Sequence, residues 1–173
     1  VEGDFEFCVD SYDPSAGNGN ACIGAIPVCD VNQTYTVPDI SAYQSSGWTA
    51  NCFGSPPTQD IWYQFTVTQT GLLEWVATPL GAGIELDWAL LDITSGCPGT
   101  LVACNYNFTS YASAPAGMLT GASCAVCPTG GAPFLPCGEY CDPVTVIAGN
   151  TYAIQIDNYT ATPSTGLDFD FGP

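Results

Sequence analysis

The chain has no lysine, no arginine and no histidine among its 173 residues, against 17 aspartates and glutamates, a formal charge of −17. Nothing is therefore available to neutralise phosphates or release counterions, which excludes nucleic-acid binding. Docking on an anionic bilayer fails for the same reason. No side-chain salt bridge can form, so every carboxylate must be solvated, hydrogen-bonded or matched by a cation from outside. The enzymology narrows as sharply. A Ser-His-Asp triad, a Cys-His pair, a Schiff-base lysine and an arginine clamp are all unavailable. Only carboxylate chemistry remains.

Two further absences matter. No apolar run approaches the ~18–20 residues of a membrane span, and no basic-then-apolar leader is present, so no membrane insertion is expected and Val1 reads as a processed start or an artificial boundary. No stretch shows helical periodicity. What is abundant is cysteine, at positions 8, 22, 29, 52, 97, 104, 124, 127, 137 and 141. An even set in a secreted-type composition reads as disulfides, although ten cysteines allow roughly 945 pairings and the sequence fixes none of them. Cys124-x2-Cys127 with Cys137-x3-Cys141 has a zinc-like spacing. With six other cysteines and no histidine, disulfides rank ahead.

The strands are legible by their period of two. Ile61, Tyr63, Phe65 and Val67 alternate with polar residues over 61–68. Leu72–Ala77 reads as a second strand and Ile84–Asp92 as a third, with Ile84, Leu86, Trp88 and Leu90 on one face. These three carry three of the four tryptophans and form the core. Shorter strands are expected around 25–28, 33–37, 101–104, 144–147, 152–157 and 167–171. Residues 1–20 read as an acidic, Gly- and Asn-rich arm in which Phe5 and Phe7 alternate with Asp4 and Glu6. Residues 108–142 hold four cysteines, many small residues and no periodicity, so they read as a long inserted loop. The fold class is all-β: an antiparallel, jelly-roll-like β-sandwich over 21–173, disulfide-stapled, with that Cys-rich insertion.

The ordered motifs resemble a family. Ala21-Cys-Ile-Gly-Ala-Ile-Pro-Val, Asp60-Ile-Trp-Tyr-Gln-Phe-Thr-Val with Gly71, Asp87-Trp-Ala-Leu-Leu-Asp with Gly96-Cys97, Cys104-Asn, Ala148-Gly-Asn-Thr-Tyr-Ala-Ile-Gln-Ile-Asp-Asn and Gly166-Leu-Asp-Phe follow one another over 21–107 and 143–172. This order resembles the secreted jelly-roll domains of Bacteroidetes-type surface proteins, akin to pre-peptidase C-terminal domains. The resemblance implies a non-catalytic module of an adhesin, a surface filament or a large exported enzyme. It implies the pairs Cys29–Cys52 and Cys97–Cys104, with Cys8–Cys22 a third. The insertion departs from the family pattern and suggests two private bridges among Cys124, Cys127, Cys137 and Cys141.

Three constellations are candidate sites. Glu85 with Asp87, and Asp168 with Asp170, share strand faces, and Glu74 lies on a neighbouring strand. A glycosidase needs two carboxylates about 5–10 Å apart in a cleft; solvent-side placement on half-buried strands is the preferred account. Asp60, Asp87, Asp92, Asp157 and Asn158 lie near strand ends, where oxygen ligands for Ca²⁺ can converge. Calcium is the one cofactor the sequence suggests, and no EF-hand or nonapeptide repeat supports it. Trp62, on the polar side of its strand, and Trp48, in a polar loop, are candidates for stacking on a sugar ring or filling an interface, while Trp75 and Trp88 read as core. Asn32, Asn107 and Asn158 each begin a glycosylation sequon. The expected protein is an extracellular or cell-surface structural or adhesive module, not an enzyme. Its partners are copies of itself or other surface proteins, assembled by strand addition through the Phe5/Phe7 arm. A carbohydrate-binding accessory module is the alternative.

Overall fold

Alternation decides which way the side chains of each strand point, and the register decides which strands they meet. The computed structural model describes residues 19–43, 45, 47, 53, 56–106, 115–121, 140–160 and 166–172. Within them β1 (Ile26–Pro27), β2 (Tyr35–Val37), β3 (Asp60–Thr66), β4 (Gly71–Leu73), β5 (Trp75–Pro79) and β6 (Leu86–Asp92) come first. Then follow β7 (Thr100–Asn105), β8 (Ala116–Met118), β9 (Tyr140–Cys141), β10 (Val144–Val146), β11 (Thr151–Asn158) and β12 (Leu167–Phe171). They form a sandwich. One five-stranded sheet has the order β1-β3-β11-β6-β7, the other β2-β12-β5-β8-β9, and β4 pairs with β10 beside them.

The core lies between the two sheets. Ile61, Tyr63, Trp88, Leu90, Ile154 and Ile156 of the first sheet meet Trp75, Ala77, Met118 and Phe169 of the second, all fully buried. Two ring contacts set the registration: Trp75 meets Trp88 edge to face at 5.1 Å, and Tyr63 stacks on Phe169 at 4.3 Å. Offset and edge-to-face rings of this kind add about 0.5–1.5 kcal/mol each beyond their buried area. Trp75 and Trp88 are core residues, as their alternation requires.

The first sheet is covered on its outer face too. Trp62, Ala89, Leu91, Cys104 and Ala153 point away from the core into a second apolar cluster with Cys22, Ala25, Phe53 and Ile93. The covering chain is residues 19–25. Gly19 O accepts from Trp62 N–H at 2.8 Å, and Gly19 N–H donates to Gly24 O at 2.8 Å. Cys22 is bonded to Cys97, 75 residues away, with Cα atoms 5.7 Å apart. This bridge ties the cover to the turn between β6 and β7.

That bond corrects two expected pairs, Cys97–Cys104 and Cys8–Cys22. The β6–β7 register explains the first: Thr100 lies opposite Asp92 and Cys104 opposite Ala89. Cys104 is thus carried up the strand by four residues beyond Thr100, about 13 Å at a strand's rise. A bridge back into the turn needs Cα atoms within about 7 Å. Cys29, Cys104 and Cys141 are disulfide-bonded as well. The pair Cys29–Cys52 involves Cys52, and the private bridges involve Cys124, Cys127 and Cys137; these residues, like Cys8, lie outside the described ones.

Three other expectations change. Leu72–Ala77 is two strands: β4 pairs with β10, and β5 pairs with β12 and β8 in the second sheet. The side chains keep one alternation through Leu73 and Trp75 while the hydrogen-bonding partners switch, which period alone does not reveal. The inserted 108–142 stretch also contributes two core strands. Ala116, Met118 and Cys141 are buried on β8 and β9. Three- and two-residue strands are too short to show a period. Finally, the sandwich is antiparallel except at two edges, where β1 runs parallel to β3 and β9 parallel to β8.

Gly117 marks how closely β8 approaches β5. Its φ is +155°, and a Cβ there would lie 2.1 Å from Trp75 O. Gly117→Ala is therefore expected to cost at least about 2 kcal/mol in denaturant unfolding, since backbone cannot yield as a side chain can. A neutral result would mean that the insertion strand is not part of the cooperative fold. The double variant Cys22→Ser/Cys97→Ser is expected to lose about 4 kcal/mol, the entropy of releasing so long a loop, measured by urea melts against the oxidised parent.

Candidate functional site

The outer face of the first sheet also holds its carboxylates. Asp60 shares a face with Trp62, Asp157 with Gln155, and Asp87 with Ala89, because side chains two apart on a strand point the same way. The register then brings the aspartates together. Asp157 on the central strand β11 lies directly opposite Asp60 on β3 and directly opposite Asp87 on β6. Three acids stand abreast across three strands, 0%, 3% and 3% exposed for Asp60, Asp87 and Asp157.

Neutral donors hold them in place. Asp60 Oδ2 accepts from Trp62 Nε1 at 2.8 Å and from Gln155 Nε2 at 2.7 Å. Asp157 Oδ1 accepts from the backbone N–H groups of Thr58 at 2.9 Å and Gln59 at 3.1 Å. The end of β11 is locked beside them: Asn158 Nδ2 donates to Gln59 Oε1 at 2.9 Å, and Thr160 Oγ1 donates to Asn158 Oδ1 at 2.8 Å. Burial pushes the Asp157 carboxyl up to about 7; the two backbone donors pull it down and the neighbouring Asp60 charge adds to the rise. Glu85, buried two residues before Asp87, is raised by burial. The Tyr106 hydroxyl is raised by burial and then by the charges of Asp87 and Tyr159.

This geometry rearranges the sequence candidates. Glu85 and Asp87 do share a face, but both are buried; Tyr106 lies beside Asp87, and Tyr159 N–H donates to Glu85 O at 3.0 Å. Trp62 does point away from the Ile61/Tyr63/Phe65 face, yet it is fully buried and spends its N–H on Asp60. A sealed indole cannot stack on a sugar ring, so the carbohydrate role of Trp62 is corrected to one of packing and charge support. Trp48, Phe5 and Phe7 lie outside the described residues. Asp168 and Asp170 stand on the outward face of β12, where Asp168 Oδ1 accepts from Thr36 Oγ1 at 2.7 Å and Asp170 Oδ1 from Thr34 Oγ1 at 2.6 Å. Glu74 Oε1 accepts from Thr120 Oγ1 at 2.5 Å and from its N–H at 2.9 Å, and these bonds hold its pKa below the usual value.

The five suggested calcium ligands divide. Asp60, Asp87 and Asp157 form the row, whereas Asp92, at the far end of β6, fixes a turn by accepting from Thr94 N–H and Asn150 Nδ2, each at 2.9 Å. Asn158 is engaged by Gln59 and Thr160, and its burial removes it as a glycosylation acceptor; Asn32 is exposed and Asn107 lies outside the described residues. Among the described residues no three His, Cys, Asp or Glu side chains form a group that could hold a metal ion. Gln155 is the member of the site that sequence reading missed. Its place in the alternating run 152–157, on the face opposite Ile154 and Ile156, was the available signal.

No family model matches the chain. No curated protein matches it either. Among solved structures, the pre-peptidase C-terminal domain of a collagenase from Bacillus anthracis superposes with a TM-score of 0.44 at 12% identity, covering 86% of this chain and 94% of that one.

The aspartate row makes stability pH-dependent. The carboxyl of Asp157 has a higher pKa folded than unfolded, so between about pH 4 and 7 the folded state binds more protons and stability falls as pH rises. Asp60 and Asp87 face it from β3 and β6, with Glu85, Tyr106 and Tyr159 close by. The lowered acids Asp92 and Glu74 act in the opposite sense, and their contributions fade only below their unfolded values near pH 4. Urea unfolding is expected to show a domain more stable at pH 4.5 than at pH 7.5, with Asp157 contributing up to about 1.4 kcal/mol per pH unit. Asp157→Asn keeps the acceptor for Thr58 and Gln59 and is expected to flatten the slope. A parent protein that loses stability on going from pH 7.5 to 4.5 would contradict the assignment.

Proposed function

We propose that the chain is a non-catalytic, extracellular β-sandwich module with a structural or adhesive role, of the kind carried by Bacteroidetes-type surface filaments and large exported proteins. The observation that carries this reading is the disulfide-tied cover. Residues 19–25 seal the outer face of the first sheet and are bonded through Cys22 to Cys97. Such a layer suits an oxidising compartment and resists local opening. The absence of lysine and arginine leaves no cleavage position for trypsin-like proteases.

The acids support a scaffold more than a catalyst. General acid–base hydrolysis needs two carboxylates that reach a substrate. Here Asp60 and Asp157 are buried and hydrogen-bonded to Trp62, Gln155, Thr58 and Gln59. The proposed partners are copies of the chain or other surface proteins. Among the described residues, strand addition would use an edge strand, β1 or β7 in the first sheet and β2 or β9 in the second. A filament built this way would place the arm containing Phe5 and Phe7 against one of them.

Electron microscopy and scattering of the native material are the decisive measurement. The expected result is the chain within a filament or a large exported particle, oxidised at its cysteines. Recovery as a free, reduced intracellular protein would end the proposal. Turnover of a polysaccharide that is abolished by Asp157→Asn in a correctly folded protein would replace it with a hydrolase.

A further inference from the structure

The outward face of the second sheet carries a groove of about 450 Å³, lined by Val31, Asn32, Val76, Asp170, Phe171 and Gly172. Its walls are of two kinds. Val31 is exposed and Val76 is half-buried on the outward face of β5, so these two offer apolar surface. The Phe171 ring turns inward between the sheets, in edge contact with Phe65 at 5.0 Å and Phe169 at 5.1 Å. Asp170 supplies the charge. Thr34 Oγ1 occupies its Oδ1 at 2.6 Å, which orients the carboxylate and leaves Oδ2 for a ligand. Asp168 continues the acidic line two residues earlier on the same strand face.

We propose that this groove receives a lysine or arginine side chain from a different protein, presented on an extended peptide segment. An apolar wall ending in a carboxylate matches a side chain with a methylene stem and a cationic head. These 173 residues hold no lysine, arginine or histidine, so a second copy of them cannot supply the cationic side chain. A charge of −17 adds long-range attraction for a basic partner, while the groove decides where its side chain seats. The inference goes beyond the module reading and stands whether the chain works in a filament or alone.

The test uses the full oxidised chain, isotope-labelled, and two blocked five-residue peptides that differ only in arginine or neutral citrulline at the centre. In moderate salt the arginine peptide is expected to shift amide signals of residues 31–36, 74–76 and 170–172, binding at least about tenfold more tightly than the citrulline peptide. Asp170→Asn, and Val76→Trp, which fills the groove without changing charge, should each weaken binding about tenfold while their melting curves remain cooperative. Asp92→Asn removes the same charge from the other sheet and should leave affinity unchanged. No localised shift, or equal losses in Asp92→Asn and Asp170→Asn, would overturn the proposal by showing only diffuse attraction to an acidic surface.

Discussion

The structure depends on one electrostatic constraint: a chain with 17 carboxylates and no cationic side chain must bury its acids without ion pairs. Most globular domains neutralise an inward carboxylate with arginine or lysine. This one uses an indole N–H, a carboxamide and two backbone amides for Asp60 and Asp157. Neutral donors offset only part of the desolvation cost of a carboxylate. The remainder appears as a proton held by Asp157 well above the usual carboxylate range. The tryptophan of β3 thereby has two functions, apolar filling of the outer cluster and support of a charge.

The cover over the first sheet follows from the same face. Trp62, Ala89, Leu91 and Ala153 make that side apolar at its middle, while Asp60, Asp157 and Asp87 make one end of it polar. An open sheet face of this composition would expose a large indole beside crowded acids. Residues 19–25 close it through the Gly19–Trp62 backbone bond and the Cys22–Cys97 bridge. The second sheet is treated differently. Its outward face stays polar, with threonines holding Asp168 and Asp170 at the rim of the groove beside Val76. One outward face is therefore closed by the chain itself, while the other keeps its carboxylates held by threonines.

Local sequence determined the strands, the core and the exclusion of cation-dependent chemistry. Period-two alternation over 61–67, 84–90, 152–157 and 167–171 placed Ile61, Tyr63, Trp88, Ile154 and Phe169 in the core, and the structure buries all of them. Composition alone shows that no His- or Lys-based mechanism can be built from these residues. These properties are legible because side-chain direction in a strand and total charge are both set without reference to distant residues.

What only the tertiary structure decided is everything that requires knowing which strands are neighbours. Asp60 and Asp157 are 97 positions apart, and no local pattern states that they stand opposite each other; the β3–β11 register does. The Cys22–Cys97 bond, the switch of sheets between Leu73 and Trp75, and the burial of Ala116 and Met118 are of the same type. Alternation tells which way a residue faces, but whether that side meets water depends on what folds over it. For Trp62 the answer was a covering segment more than thirty residues away, and for Glu85 and Asp87 residues brought in from other strands; together they turn solvent-side acids and an exposed tryptophan into a buried row.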